Sequence, residues 1–168
     1  QSMGLRVTRS FLKSAYKRNG LRIEDATEQE MRSLVCAQCH AEYYFQGEDR
    51  ILTLPWDQGY TVENIEAYYD SINFTDFTHK LSRAHLIKAQ HPDFELFQMG
   101  IHEQRGVSCG ECHMPAVGED ENRYNNHHIK SPLAMIDRTC QACHRESEET
   151  LRKDVYELSL IHISEPTR

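Results

Sequence analysis

The chain has 168 residues, a formal net charge of −7 and a mean hydropathy of −0.69. This acidic balance argues against nucleic acid, whose phosphates demand a basic patch, and no apolar run approaches the roughly 20 residues that span a bilayer. With 39% hydrophobic residues, side chains alone make a thin core for one domain or part of a larger one.

Taken in order, the first well-bounded element starts at Thr27. Thr27 and Glu30 are spaced as a capping box, and Met31, Leu34 and Val35 form an apolar stripe that runs into Cys36. A second helix is predicted over residues 62–69, with Val62, Ile65 and Tyr69 on one side. A third is suggested by Phe77, Leu81 and Ala84, ending before Pro92 because the residue preceding proline is biased to extended geometry. Phe94, Phe97 and Ile101 line a short fourth helix that Gly106 closes. Residues 118–126 (GEDENRYNN) are the most loop-like stretch. Ser131 and Pro132 mark a further helix start, which places Leu133, Ile136, Cys140 and Cys143 on one stripe. Leu151, Val155 and Leu158 carry the period onward, supported by the pairs Glu148 with Arg152 and Glu149 with Lys153. No alternating run argues for a substantial sheet.

All six cysteines fall in three copies of C-x-x-C-H: Cys36, Cys39 and His40; Cys109, Cys112 and His113; Cys140, Cys143 and His144. Two thiols can form thioethers to the vinyl groups of a haem while the adjoining imidazole ligates its iron, so each copy reads as a covalent c-type haem site. Zinc ribbons pair C-x-x-C motifs closer together and give no reason for a histidine after every second cysteine. Disulfides are disfavoured because C-x-x-C is a redox or metal spacing. Three buried macrocycles would supply the apolar surface that the side chains lack. The expected fold is therefore mainly α, with helices and long loops packed around covalently bound haems and little or no sheet.

Covalent haem attachment takes place outside the cytoplasm, yet the first residues lack the apolar core of a signal peptide. The expectation is a mature or internal segment of an exported protein. Beyond the three motif histidines stand His79, His85, His91, His102, His127, His128 and His162. A haem that only transfers electrons commonly takes a second axial histidine, so some of these are expected to be iron ligands.

Four blocks together resemble the ammonia-forming cytochrome c nitrite reductases, pentahaem enzymes of the periplasm. They are CAQCHAEYYF at residues 36–45, LIKAQHPDFE at 86–95, GIHEQRGVSCGECHMP at 100–115 and NNHHIKSP at 125–132. The resemblance runs from about Leu34 to His144. It implies that Glu42, the carbonyls of Tyr43 and Lys88 and the side-chain oxygen of Gln90 bind Ca2+, an all-oxygen set suited to a hard cation. If residues 88–91 are extended, Lys88 and Gln90 point alike and His91 faces away. Tyr43 and His91 are then the distal residues over the catalytic haem. An imidazole and a phenol beside a cation are suitable proton donors for the six-electron reduction of nitrite to ammonium.

The same resemblance makes His102 the distal ligand of the haem at Cys140 and Cys143, and His127 the distal ligand of a haem attached elsewhere, with His128 its competitor. His79, His85 and His162 receive no role. It also implies five haems in the whole enzyme, a homodimer, and a membrane-anchored quinol-oxidising cytochrome or a soluble multihaem carrier as electron donor.

The departures are equally informative. The catalytic haem of the family hangs on C-x-x-C-K or C-x-x-C-H upstream, and no such motif precedes Cys36. The catalytic arginine is likewise expected upstream. Residues 1–159 therefore read as the central part of one multihaem domain, inactive alone. Residues 160–168 (LIHISEPTR) break the pattern and resemble translated adapter sequence, a non-native tail. Two other parents remain open. One is a purely electron-carrying multihaem cytochrome, in which Tyr43 and His91 only pack. The other is an octahaem relative such as an octahaem nitrite reductase or a hydroxylamine oxidoreductase.

Overall fold

The computed structural model describes residues 6–164, with side chains described as far as residue 158. Its helices are α1 (Ser10–Arg18), α2 (Glu28–Ala37), α3 (Val62–Ser71), α4 (Asp93–Gln98), α5 (Ile101–Gln104), α6 (Cys109–His113) and α7 (Glu148–Ser164). The strands are β1 (Tyr44–Gln46), β2 (Ile51–Thr53), β3 (Phe77–Thr78), β4 (His85–Leu86), β5 (Ala116–Val117) and β6 (Tyr124–Asn125), joined only as two-stranded antiparallel hairpins. The fold is thus mainly helical, as the sequence predicts. The chain divides after Ser108 into two units.

In the first unit, α2 packs against α4 and α1 against β2. Thr27 caps α2 in a full capping box: its side chain accepts from the Glu30 N–H, and the Glu30 carboxylate accepts from the Thr27 N–H at 2.7 Å. Leu12, Ala15, Leu34, Ala37, Leu54, Trp56 and Phe94 form the core of this unit. The Trp56 ring lies 5.2 Å from Phe94 and 5.0 Å, edge-on, from Tyr60. Arg18 ties α1 to the segment after β2, bonding Asp57 at 2.6 Å and the Leu54 carbonyl at 2.8 Å. A second cluster joins Tyr44 of β1 to Tyr68 and Tyr69 of α3, with the Tyr44 and Tyr68 hydroxyls 2.7 Å apart.

The second unit begins with α6, followed by the β5–β6 hairpin. Gly118, at φ +86°, makes the turn of that hairpin, where a Cβ would collide with the Asn122 carbonyl. Residues Pro132–Ala134 and Cys140–Ala142 are single 3-10 turns, and α7 closes the described chain. Ile136 is buried. Of the predicted tail, residues 160–164 continue the α7 backbone and residues 165–168 lie outside the described residues, as does the side chain of His162.

Several predicted helices differ in form. Residues 77–86 form the β3–β4 hairpin in place of a third helix. Leu81 is 86% exposed, so the apolar spacing finds no surface to pack on. The His79 Nδ1 to Ser82 Oγ contact at 2.8 Å and the left-handed Arg83 (φ 61°) hold the turn, local bonding that competes with helix. The predicted fourth helix is split into α4 and α5 at Gly100, which has extended geometry (φ −84°, ψ 155°). Gly106 does close α5, at φ +81°. The helix expected after Ser131 is reduced to its first turn, because the backbone leaves helical geometry at Met135 (φ −147°, ψ 43°), whose carbonyl accepts from both the Thr139 N–H and hydroxyl at 2.9 and 2.8 Å. On α3, Tyr68 and Tyr69 are buried while Val62 is exposed. On α7, the ion pair joins Lys153 to Glu157 at 3.6 Å in place of the predicted pairs.

The role of α2 as the central packing element is testable in the haem-loaded, full-length protein. Leu34→Ala should cost about 2–5 kcal/mol, from a cavity under a wholly buried residue. Thr27→Ala should cost about 1 kcal/mol, the usual worth of a helix N-cap. Thermal or denaturant unfolding followed by circular dichroism reads both, and equal losses would refute the ranking.

Candidate functional site

Each C-x-x-C-H motif is wound into a single turn. The Cys36 carbonyl accepts from the N–H groups of Cys39 and His40 at 3.0 and 2.9 Å, and the Cys140 carbonyl from those of Cys143 and His144 at 3.1 and 2.8 Å. The middle motif is α6 itself. Residues three and four apart share a face of such a turn, so two thiols and one imidazole converge. None of the six cysteines is in a disulfide. In the second unit, burial pushes the Cys112 thiol up from its ordinary value, followed by the effects of Cys140, Glu111, Cys109 and Cys143, so the two attachment motifs there lie close together.

Two of the motif imidazoles have an acceptor placed at Nδ1. His40 Nδ1 is 2.9 Å from Asp93 Oδ2, and His113 Nδ1 is 3.0 Å from the Lys130 carbonyl. An acceptor on Nδ1 makes that nitrogen the N–H donor and leaves the lone pair on Nε2. Glu146 Oε2 stands 3.8 Å from His144 Nδ1. These residues fit covalently bound haem.

Beyond His40 the chain enters a buried carboxylate network. Glu42 is 4% exposed; its Oε2 accepts from the Gln90 N–H at 2.7 Å and its Oε1 from the Tyr69 hydroxyl at 3.1 Å. Burial raises the Glu42 pKa, opposed by those two donors, while Asp76 adds to the rise and His91 lowers it. Asp76 accepts from the Lys88 N–H at 2.7 Å. Gln90 and Asp76 line a polar cavity of about 380 Å³ together with Tyr43, Tyr44 and Thr75. A buried carboxylate with a second carboxylate nearby and an amide at the same cavity fits a hard cation, whose charge would offset the desolvation of Glu42. Among the described residues no group of three or more His, Cys, Asp or Glu side chains could hold a metal, so a cation here depends on amide and carbonyl oxygens.

Tyr43 and His91 line a separate cavity of about 330 Å³ with Cys39, Arg9, Phe11 and Leu52. Their rings are 6.4 Å apart and inclined by 31°. Residues 88–91 belong to no helix or strand, and within them Gln90 faces one cavity and His91 the other. Tyr43 borders both. His102 lies exposed in α5, and His127 and His128 lie exposed after β6. His79 and His85 are exposed in and beside the β3–β4 hairpin.

Sequence reasoning missed the support beneath this site. Glu95 is 2% exposed, and its Oε1 accepts from the Trp56 Nε1–H at 2.6 Å and from the Glu42 N–H at 2.9 Å. Its Oε2 is buried without a hydrogen-bond partner. Burial, reinforced by nearby Glu42 and opposed by the donors, pushes its pKa up to about 7. Asp93, Asp76, Tyr69 and Arg9 were missed as well. A signal for Asp93 and Glu95 was present in their place directly after His91 and Pro92.

Residues 1–165 match the cytochrome c552 family. The chain belongs to that family. It is 64% identical over 157 residues to cytochrome c-552 of Parabacteroides distasonis, covering 94% of this chain and 32% of that one. It is 60% identical over 157 residues to cytochrome c-552 of Porphyromonas gingivalis, with the same coverage. Among solved structures, the cytochrome c nitrite reductase catalytic subunit NrfA of Desulfovibrio desulfuricans, described for the relevance of its two calcium sites, aligns at a TM-score of 0.81 and 37% identity, over 90% of this chain and 35% of that one. The chain thus spans about a third of the length of these cytochrome c552 relatives. Among the described residues, no helix is long and apolar enough to cross a membrane.

The Glu95 environment predicts a pH dependence of stability. Its folded-state pKa lies above the ordinary carboxylate value, so the folded chain holds a proton that the unfolded chain releases. Stability from this group is complete at low pH and is lost as pH rises through about 7. Glu95→Gln should flatten that decline. Thermal melts of wild type and variant across pH check it, and parallel curves would contradict it.

Proposed function

We propose that residues 1–159 form the central part of a periplasmic dissimilatory nitrite reductase that converts nitrite to ammonium, and that residues 160–168 are a non-native tail. Three c-type haems attach at Cys36 and Cys39, Cys109 and Cys112, and Cys140 and Cys143. His40, His113 and His144 are their proximal iron ligands. His102 serves as a distal ligand for the third of these haems, and His127 for a haem attached outside this sequence. The observation that carries the reading is the placement of Tyr43 between two cavities, one shared with His91 and the other with Gln90, beside the buried Glu42.

In this reading the haems, when bound, would supply electron transfer and the iron chemistry of nitrite reduction. The rest falls to side chains of this segment. Tyr43 and His91 would face the substrate from one cavity and relay solvent protons to its oxygens, which leave as water as electrons arrive through the haems. Arg9 adds positive charge to the lining of that cavity, which favours an anion. Glu42, the Tyr43 and Lys88 carbonyls and the Gln90 side chain hold Ca2+ on the other side. The fixed cation would keep the Tyr43 backbone in place. The proximity of the second and third attachment motifs suits an electron relay.

Support comes from the family match, from the likeness to a nitrite reductase with calcium sites, and from the fit of buried oxygen donors to a hard cation. The whole enzyme has five haems, works as a homodimer and receives electrons from a membrane-anchored quinol-oxidising cytochrome or a soluble multihaem carrier. The segment alone does not turn over nitrite, because no attachment motif for the catalytic haem precedes Cys36.

In the full-length, haem-loaded protein, His91→Ala should lower ammonium production from nitrite by about 10²–10⁴-fold, the range for a positioned acid–base group. An unchanged rate at full haem content overturns the role of His91. Glu42→Gln should release bound calcium, read by elemental analysis against haem iron. Retained stoichiometric calcium would remove Glu42 from the site.

A further inference from the structure

The motif histidines His40 and His113 share one sequence pattern but meet different partners. His40 Nδ1 faces the Asp93 carboxylate at 2.9 Å, and His113 Nδ1 the neutral Lys130 carbonyl at 3.0 Å. From this difference we infer that Asp93 selectively lowers the reduction potential of the haem attached at Cys36 and Cys39. The inference rests on the haem reading above.

The physical route is short. A carboxylate that accepts the Nδ1 proton draws that proton toward itself and raises the electron density on Nε2, the atom left for iron. A more basic axial ligand favours Fe(III) over Fe(II), so the one-electron reduction by a reduced carrier occurs at lower potential. A neutral carbonyl does this more weakly.

Both side chains of the His40–Asp93 pair are 64% exposed, and an exposed polar contact of that kind adds little stability on its own. Its geometry has other support. The Phe94 N–H donates to the His40 carbonyl at 2.9 Å, and Glu95 accepts from the Glu42 N–H at the same distance. The first turn of α4 is therefore bonded along residues 40–42, and Asp93 is carried to its place by its neighbours. Asp93 is a positioning and tuning residue and touches no substrate.

The consequence is directional. Cys39 lines the cavity that holds Tyr43 and His91, so the haem in question is anchored at the edge of the proposed reaction site. A low potential there makes its iron a stronger donor of single electrons toward that site.

The test uses the full-length, haem-loaded protein with Asp93→Asn, Asp93→Ala and Asp93→Glu. Mass analysis of proteolytic peptides first establishes haem on the Cys36 and Cys39 peptide. A redox titration followed by optical and electron paramagnetic resonance spectra then resolves the individual midpoint potentials. Asp93→Asn, which keeps an acceptor and removes the charge, should move one midpoint upward and leave the others in place. Asp93→Ala should move the same midpoint further, and Asp93→Glu should restore it. Unchanged potentials in Asp93→Asn and Asp93→Ala at full haem content would overturn the role of Asp93 and leave the haem reading standing. A wild-type peptide without haem would overturn both.

Discussion

The site depends on the bonding of one short helix to the segment that follows the first C-x-x-C-H motif. Three consecutive residues of α4 each hold a different part of residues 40–42: Asp93 the His40 imidazole, Phe94 the His40 carbonyl and Glu95 the Glu42 N–H. Phe94 and Trp56 bury this junction, and Trp56 also donates to Glu95. Because His91 and Gln90 lie immediately before α4, the same junction brings them to Tyr43 and Glu42. The proposed proximal iron ligand His40, the buried Glu42 carboxylate and the Tyr43 and His91 side chains are thus positioned by one local arrangement.

A peptide that passes between two cavities can perform two tasks at once. Gln90 and His91 are adjacent in sequence, yet one faces the polar cavity with Asp76 and the other the cavity with Cys39. Glu42 accepts the Gln90 N–H at 2.7 Å, so its carboxylate is coupled to the backbone that carries His91. A charge placed beside Glu42 would therefore act on the geometry of the His91 cavity through a single peptide unit. The energetic tension sits in the buried acids: Glu95 has an oxygen without a partner, and burial raises the pKa of both Glu42 and Glu95.

Much of this was legible in the residues. The capping box at Thr27 and the turn of each C-x-x-C-H motif depend on contacts within four residues, and the structure contains both. The closeness of Glu42 to Gln90 and of Tyr43 to His91 could be anticipated only from the family resemblance, since 48 residues separate the first pair. The third helix was misread because Phe77 and Leu81 have helical spacing but no surface to cover. Residues 131–147 differ because a proline start and apolar spacing do not make a helix where the backbone leaves helical geometry, as it does at Met135. The parts played by Asp93 and Glu95 reach 53 residues back along the chain, where no local pattern reports them.

The central claim is that Tyr43 and His91 face a substrate bound at an open iron site, with a cation held by Glu42 behind Tyr43. The most direct measurement is an experimental structure of the full-length, haem-loaded protein soaked with nitrite. The account predicts nitrite on an iron with the Tyr43 hydroxyl and the His91 ring within hydrogen-bonding distance of its oxygens, and a cation on the Glu42 carboxylate. Irons that all carry two protein ligands, with Tyr43 and His91 packed flat on porphyrin and no room between them, would contradict it.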